Sequence, residues 1–395
     1  MALVTYILGD CPGCGGKNTF GNIDVYNTVV SLGCGRCSYK ERRPLPPVKK
    51  QVLYLDQFFF SHAVRGNEPN FVAAAELIRK LCSWQLLVVP YSSVHEDETH
   101  QWKDSKELFD FIKATSRGYE FSPAYDVEQN QLHEAFAAYR KGEGTTFKVS
   151  RDQAFRDKLD VWDGYLRIEV GRYIGDIDLI RSLKAKAIEG LVDLFPGWRT
   201  STSTFDQNVA LEHGAAAKGY IDAYRTYLGR IGAGDWMAIV DSPIISQVVQ
   251  NLMGHFGKDV TPPDALEQVM KFLYSAHFAA TPYHDIQARM YATLKAMVKG
   301  GAYANREKSI QRLSGFYYDV KHISTYAPYC DAFLMDAPMA EIADQVGLEQ
   351  RYGVRIFSRT NWDAFIAWLE GLTAGMTEEH KEALLLAYPR MKLPA

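Results

Sequence analysis

Apolar residues along this chain fall into two rhythms, and the alternation between them sets out its architecture. Val52-Leu53-Tyr54-Leu55 is a short continuous apolar run closed by Asp56, the pattern of a strand buried on both faces. Phe71, Ala74, Leu77, Ile78 and Leu81 then recur at helical spacing, which predicts a helix over Asn70 to Cys82. Trp84 to Val89 reads as a second buried strand, stopped by Pro90. Ser93 is placed to cap the next helix, with Glu96 completing a capping box. Strand, helix, strand, helix is the opening of a parallel α/β sheet.

From about 104 to 314 the 3.6-residue period takes over, in segments near 128–141, 151–195, 207–231, 240–256, 264–280 and 284–298. Gly142 to Thr146, Pro196-Gly197, Gly232 to Gly234 and Pro262-Pro263 separate them. The α/β rhythm then returns. Asp319 to Ala327 predicts a helix, Ala332 to Met335 a strand, Ala337 to Val346 a helix and Arg355 to Ser358 a last strand. Helices over Trp362 to Leu372 and 377–388 follow. The expectation is one α/β domain assembled from 51–103 and 315–395 and interrupted by a helical insertion, 104–314.

The N-terminal 40 residues differ. Asn22 to Leu32 is rich in β-branched and aromatic residues, as in short strands. Cys11-Pro-Gly-Cys14 and Cys34-Gly-Arg-Cys37 form two CxxC pairs. Each pair offers two thiolates to one metal, and four converging sulfurs suit tetrahedral zinc. Residues 1–40 therefore read as a zinc ribbon. Residues 41–50 read as a proline-stiffened linker. Lys40, Arg42, Arg43, Lys49 and Lys50 surround Glu41, so this stretch is either a solvated tether or a strap for phosphate.

Composition narrows the classes. Of 395 residues, 47 % are hydrophobic and 23 % charged, as in globular proteins, and the net charge of -3 excludes a global basic field. No run of 18 apolar residues predicts a membrane span, and Met1 to Asp10 lacks the basic start of a signal peptide. Cys82 and Cys330 lie in apolar contexts. Reduced thiols and metal-type cysteine spacing suggest a cytoplasmic protein.

Carboxylates recur where a parallel sheet would bring them to its carboxyl edge, the usual place for a site in such folds. Asp56 ends the first strand. Glu98, or alternatively Asp97, follows the second within Val94-His95-Glu96-Asp97-Glu98-Thr99-His100. Asp319 opens a helix, Asp331 opens the third strand, and Asp336 closes it. Asp56, Asp319 and Asp336 also suit helix caps. His95 and His100 are five residues apart, so they do not share a helix face and a zinc-protease motif is excluded. Neither a phosphate-binding loop, a dinucleotide fingerprint nor a GxSxG elbow is present.

Val52-Leu-Tyr-Leu-Asp56, Pro90-Tyr-Ser-Ser-Val-His-Glu-Asp-Glu98, and Asp319-Val-Lys-His322 followed by Asp331-Ala-Phe-Leu-Met-Asp336 resemble the successive acidic motifs of PIN-like nucleases. The resemblance implies a PIN-like parallel-sheet fold and hydrolysis of phosphodiester bonds, in RNA before DNA. It also implies Mg²⁺ or Mn²⁺ held by Asp56, Glu98, Asp319 and Asp336, with Asp331 assisting. Nucleic acid would be the partner, with a protein partner or oligomer open. The hard cations suit carboxylate oxygen, and one or two of them can activate water against a phosphate. Compact family members lack the long stretch between Glu98 and Asp319. Among weaker signals, His95 and His322 adjoin candidate ligands, and Lys321 and Arg359 could meet phosphate. Tyr317, Tyr318, Tyr326 and Tyr329 could stack bases or fill the core. The competing reading is a non-catalytic nucleic-acid-binding or protein-interaction scaffold with structural zinc.

Overall fold

The computed structural model describes residues 2–100, 105–165 and 186–394. Four parallel strands form the central sheet: β5 (Gln51–Leu55), β6 (Leu87–Val88), β7 (Ala332–Leu334) and β8 (Arg355–Phe357), in the order β6-β5-β7-β8. The expected strand over 84–89 shortens to β6, because Trp84 to Leu86 turn from the preceding helix, with Gln85 at φ +61°.

Alternation across the pleat divides the apolar runs between two faces. Leu53, Leu55, Leu87, Ala332 and Leu334 point into one core, under α1 (Gln57–Arg65), α2 (Pro69–Ser83) and the helices Trp362–Ala374 and Glu378–Ala387. Val52, Tyr54, Val88 and Phe333 point into the other, against Met290 and Leu294 of the helix Pro282–Lys299 and Val320 and Ile323 of the helix Phe316–Tyr326. The insertion thus shares one layer of the α/β sandwich with the helices Phe316–Tyr326 and Ala337–Val346. Its outer part has a core of its own, where Leu132 and Phe136 of the helix Ala124–Lys141 pack with Tyr220, Leu252 and Phe272.

The six expected helical stretches of the insertion meet mixed outcomes. Those near 128–141, 207–231 and 284–298 appear as Ala124–Lys141, Phe205–Gly232 and Pro282–Lys299. The stretch near 264–280 appears as Pro262–Leu273 and Ala276–Ala279, and that near 240–256 is broken into short turns around Pro243. The long helix expected over 151–195 is not formed over 154–165. That segment is irregular and serves as a strap, and 166–185 lie outside the described residues.

A second, antiparallel sheet runs β1 (Tyr6–Gly9), β2 (Phe20–Tyr26), β3 (Val29–Cys34), β4 (Lys40–Pro44). β4 corrects the expectation of a linker from 41. Lys40 to Pro44 pair with Gly33 to Val29, and Pro44 is tolerated because β4 is an edge strand. Gly21 is required at the irregularity between β1 and β2, where a Cβ would stand 1.8 Å from the Tyr6 carbonyl oxygen.

This small sheet is not tethered loosely. Val25, Val30 and Leu32 belong to the same core as Leu53 and Leu334. Asn22 Nδ2 donates to the Leu386 carbonyl at 2.8 Å and to Tyr165 Oη at 2.8 Å. The strap's Trp162 donates from its backbone to the Asn27 carbonyl and from Nε1 to the Pro46 carbonyl. No helix among the described residues is long and apolar enough to cross a membrane.

Candidate metal centres

Cys11, Cys14, Cys34 and Cys37 converge at one end of the small sheet. Sγ of Cys11 lies 3.7 Å from that of Cys37, and Cys14 3.9 Å from Cys34. Four sulfurs at about 2.3 Å from one tetrahedral ion stand roughly 3.8 Å apart, so the spacing fits. The backbone N–H groups of Gly13, Arg36 and Tyr39 donate to Cys11, Cys34 and Cys37 respectively, which stabilises thiolate charge. These four thiols could hold zinc.

The second centre lies at the carboxyl edge of the large sheet. The chain leaves β5 towards β6 on one side and returns to β7 on the other, so the strand order reverses between β5 and β7. A crevice opens at such a switch point. Asp56 stands at the end of β5. It caps α1, its Oδ1 accepting from Gln57 N at 2.7 Å. Glu98 comes from α3 (Ser93–Thr99), which follows β6. His322 comes from the helix Phe316–Tyr326, one turn beyond Asp319. Ligand atoms of Asp56, Glu98 and His322 all lie within 4.8 Å of one another, and this group could hold a metal.

Burial makes the carboxylates expensive as they stand. It pushes the Asp56 carboxyl well above the usual range, and the charges of Glu98 and Asp336 push it the same way. Burial also raises Asp336, against the bond from Met339 N. His322 is pushed down to about 3, by burial first and Lys321 second, so it is a neutral imidazole. A cation among these groups would relieve the carboxylate repulsion and use the imidazole lone pair.

Behind the site runs a chain of buried polar groups. His322 Nδ1 contacts the Tyr54 hydroxyl, which lies 2.7 Å from Ser92 Oγ. Ser92 Oγ is 3.4 Å from His95 Nδ1, and His95 Nε2 is 2.8 Å from the Leu55 carbonyl oxygen. The Tyr54 ring stacks on His95 at 4.8 Å between centroids.

The other sequence candidates take different places. Asp336 is close enough to act on Asp56, but it caps the helix Ala337–Val346 through Met339 N and stands outside the three-residue group. Asp319 is no N-cap, since Gly315 holds that position; it sits in the first turn with its carboxylate over Gly315. Asp331 lies at the opposite, amino edge of the sheet. It accepts from Val52 N at 2.7 Å and pairs with Arg151 at 2.5 Å, so its place in the acidic group is corrected to that of a strand-end anchor. The capping box of α3 is Ser92 with His95, not Ser93 with Glu96.

Lys50, counted with the basic strap, is buried and bonded to Asp163 at 2.6 Å and Tyr119 at 2.8 Å. Arg359 pairs with Glu68. Tyr326 and Tyr329 are core residues, while Tyr317 and Tyr318 are half-buried. No sequence motif singles out Tyr54 or Ser92 as a site residue. Tyr54 alternates with Leu53 and Leu55, and a hydroxyl in an otherwise apolar buried strand was the available signal.

A groove of about 1020 Å³ starts at Ala337 and Pro338, just past Asp336, and runs by Ser358 at the end of β8. Tyr303 and Arg312 line it together with Glu341 and Asp344. Tyr303 has a left-handed backbone at φ +58°, and its carbonyl accepts from Arg199 and Ser309. No family model, no curated protein and no solved structure matches this chain.

Proposed function

We propose that this protein is a metal-dependent phosphodiester hydrolase of PIN-like type, acting on RNA before DNA, with a structural zinc in the four-cysteine site. The observation that carries the reading is the convergence of Asp56, Glu98 and His322, from three separate elements, at the switch point of a parallel sheet. A scaffold protein gains nothing by burying an aspartate against a second carboxylate. A hydrolase that binds a divalent cation gains its centre.

Asp56 and Glu98 would supply oxygen and His322 nitrogen to the ion. The ion would lower the pKa of water and neutralise charge on the phosphate. Asp336, at the rim, is placed to accept a proton from the attacking water or to hold a second cation. The groove past Ala337 gives the strand a path, with Tyr303 as a stacking surface and Arg312 as a phosphate contact.

The test is cleavage of labelled single-stranded RNA with Mn²⁺. Asp56→Asn keeps the helix cap, so it should fold, yet it should cut at least about 100-fold more slowly. Asp336→Asn should also lose activity. Both variants cutting at the wild-type rate would remove the proposal.

A further inference from the structure

We infer that His322 is a metal ligand whose tautomer is set by the Tyr54–Ser92–His95 chain, and that the centre therefore selects a transition-metal dication of the manganese, iron and zinc group over magnesium. The inference rests on the metal centre proposed above and states which ions it takes.

The Leu55 carbonyl can accept but not donate, so His95 Nε2, 2.8 Å away, carries the proton. His95 is fully buried, and burial holds it neutral. Its Nδ1 is then a bare acceptor, facing Ser92 N at 3.2 Å and Ser92 Oγ at 3.4 Å. We assign the Ser92 hydroxyl as a second donor to it beside Ser92 N, which leaves that oxygen to accept from Tyr54, 2.7 Å away. With its proton committed to Ser92, the Tyr54 oxygen accepts, and its remaining neighbour is His322 Nδ1. On that assignment Nδ1 of His322 is the protonated nitrogen, and Nε2 presents a lone pair.

That lone pair points at Glu98 Oε2, 3.3 Å away. Two acceptors face each other, with Asp56 completing the triangle. A cation between them resolves the arrangement. One imidazole nitrogen with two carboxylates is a mixed donor set. Magnesium prefers oxygen and water, whereas imidazole suits later divalent metals. A histidine ligand that passes its other N–H to a buried acceptor is the common outer-shell device of transition-metal sites.

The experiment is calorimetric titration of zinc-loaded protein with MnCl₂ and, separately, MgCl₂, so that the cysteine site is already filled. Wild type should bind Mn²⁺ about 100-fold or more tightly than Mg²⁺. His322→Asp, which restores an all-oxygen site, should cut that preference at least about tenfold. Tyr54→Phe breaks the chain and leaves every ligand in place. It should weaken Mn²⁺ by about 10- to 100-fold and Mg²⁺ by less, an arm that holds should His322→Asp fail to fold.

An unchanged Mn²⁺ to Mg²⁺ ratio in both variants would overturn the inference while leaving the metal centre standing. Binding of neither ion by wild type, the result if a proton is shared between Glu98 and His322, would overturn both. So would Asp56→Asn binding both ions as wild type does.

Discussion

Asp56 shows how one side chain serves two levels of structure. One oxygen closes the first turn of α1 by accepting from Gln57, and the same carboxylate belongs to the group that could hold a metal. Its role as cap was legible in the sequence; its burial beside Glu98 was not, because Glu98 reaches it from another strand's loop.

Two buried groups that meet the Tyr220 hydroxyl, His284 and Glu128, make a pH prediction. His284 is pushed down to about 3 from 6.5, chiefly by burial. The unfolded chain takes up that proton first, so the stability His284 contributes is intact above about 6.5 and is lost as pH falls towards 3. Glu128, which accepts from Tyr220, is pushed the other way, up to about 7 from 4.5, by burial, against the Tyr220 bond and the Lys321 charge. Its contribution is present below about 4.5 and lost as pH rises through 7. Glu128→Gln should therefore gain thermal stability relative to wild type between pH 5 and 8. His284→Gln should gain between pH 6 and 3. Melting curves that stay parallel to wild type across both ranges would contradict this.

At the scale of elements, the ribbon sheet and the α/β sheet share a core, so the cysteine metal should stabilise the whole fold. Cys34→Ser should release zinc and move the main melting transition down. A ribbon hanging on a linker would leave that transition where it was. Asn22→Ala should cost about 1–3 kcal/mol in denaturant melts, because it strips the bonds to the Leu386 carbonyl and Tyr165 across the junction.

The elements themselves were largely readable. Ala337–Val346 and Pro282–Lys299 follow from periodicity plus Pro and Asp signals at their starts, and β5 and β7 from their apolar runs. What misled was polar sequence with tertiary partners. Lys40 to Pro44 looks like a tether because its charge and prolines dominate, yet β3 supplies the missing hydrogen bonds. Residues 154–165 keep apolar side chains at helix-like spacing, but Trp162 and Leu159 are buried through strap contacts rather than on one helix face. The proposed metal group was partly legible. Two of its acids stand in the expected motifs. His322 looked like a helix residue of uncertain use, because only the return of the helix over α3 brings it to Glu98.

For the whole molecule, the insertion completes a layer that the α/β domain begins, through the helix Pro282–Lys299. Helices Pro282–Lys299 and Phe316–Tyr326 cover the sheet face that bears Val52, Tyr54 and Phe333. Removing the insertion would uncover the part of that face under Met290 and Leu294 and take away the helix packed behind Phe316–Tyr326, which carries His322. The buried Lys50–Asp163 pair locks the arrangement. Asp163 also accepts from Tyr119 at 2.6 Å and from Gln85 at 3.1 Å, so the chain before β5, the turn into β6 and the strap meet at one carboxylate. Asp163→Ala would leave Lys50 buried without its counter-charge and should cost about 3–5 kcal/mol, measured by urea unfolding. Replacing both with apolar residues of similar size should recover most of that loss.

The central claim is that three distant stretches share one divalent ion. Crystals of the zinc-loaded protein soaked in MnCl₂ and measured at the manganese absorption edge test it directly. The account predicts an anomalous peak within about 2.3 Å of an oxygen of Asp56, an oxygen of Glu98 and Nε2 of His322. A map with no peak there, or with manganese bound only elsewhere, would contradict it.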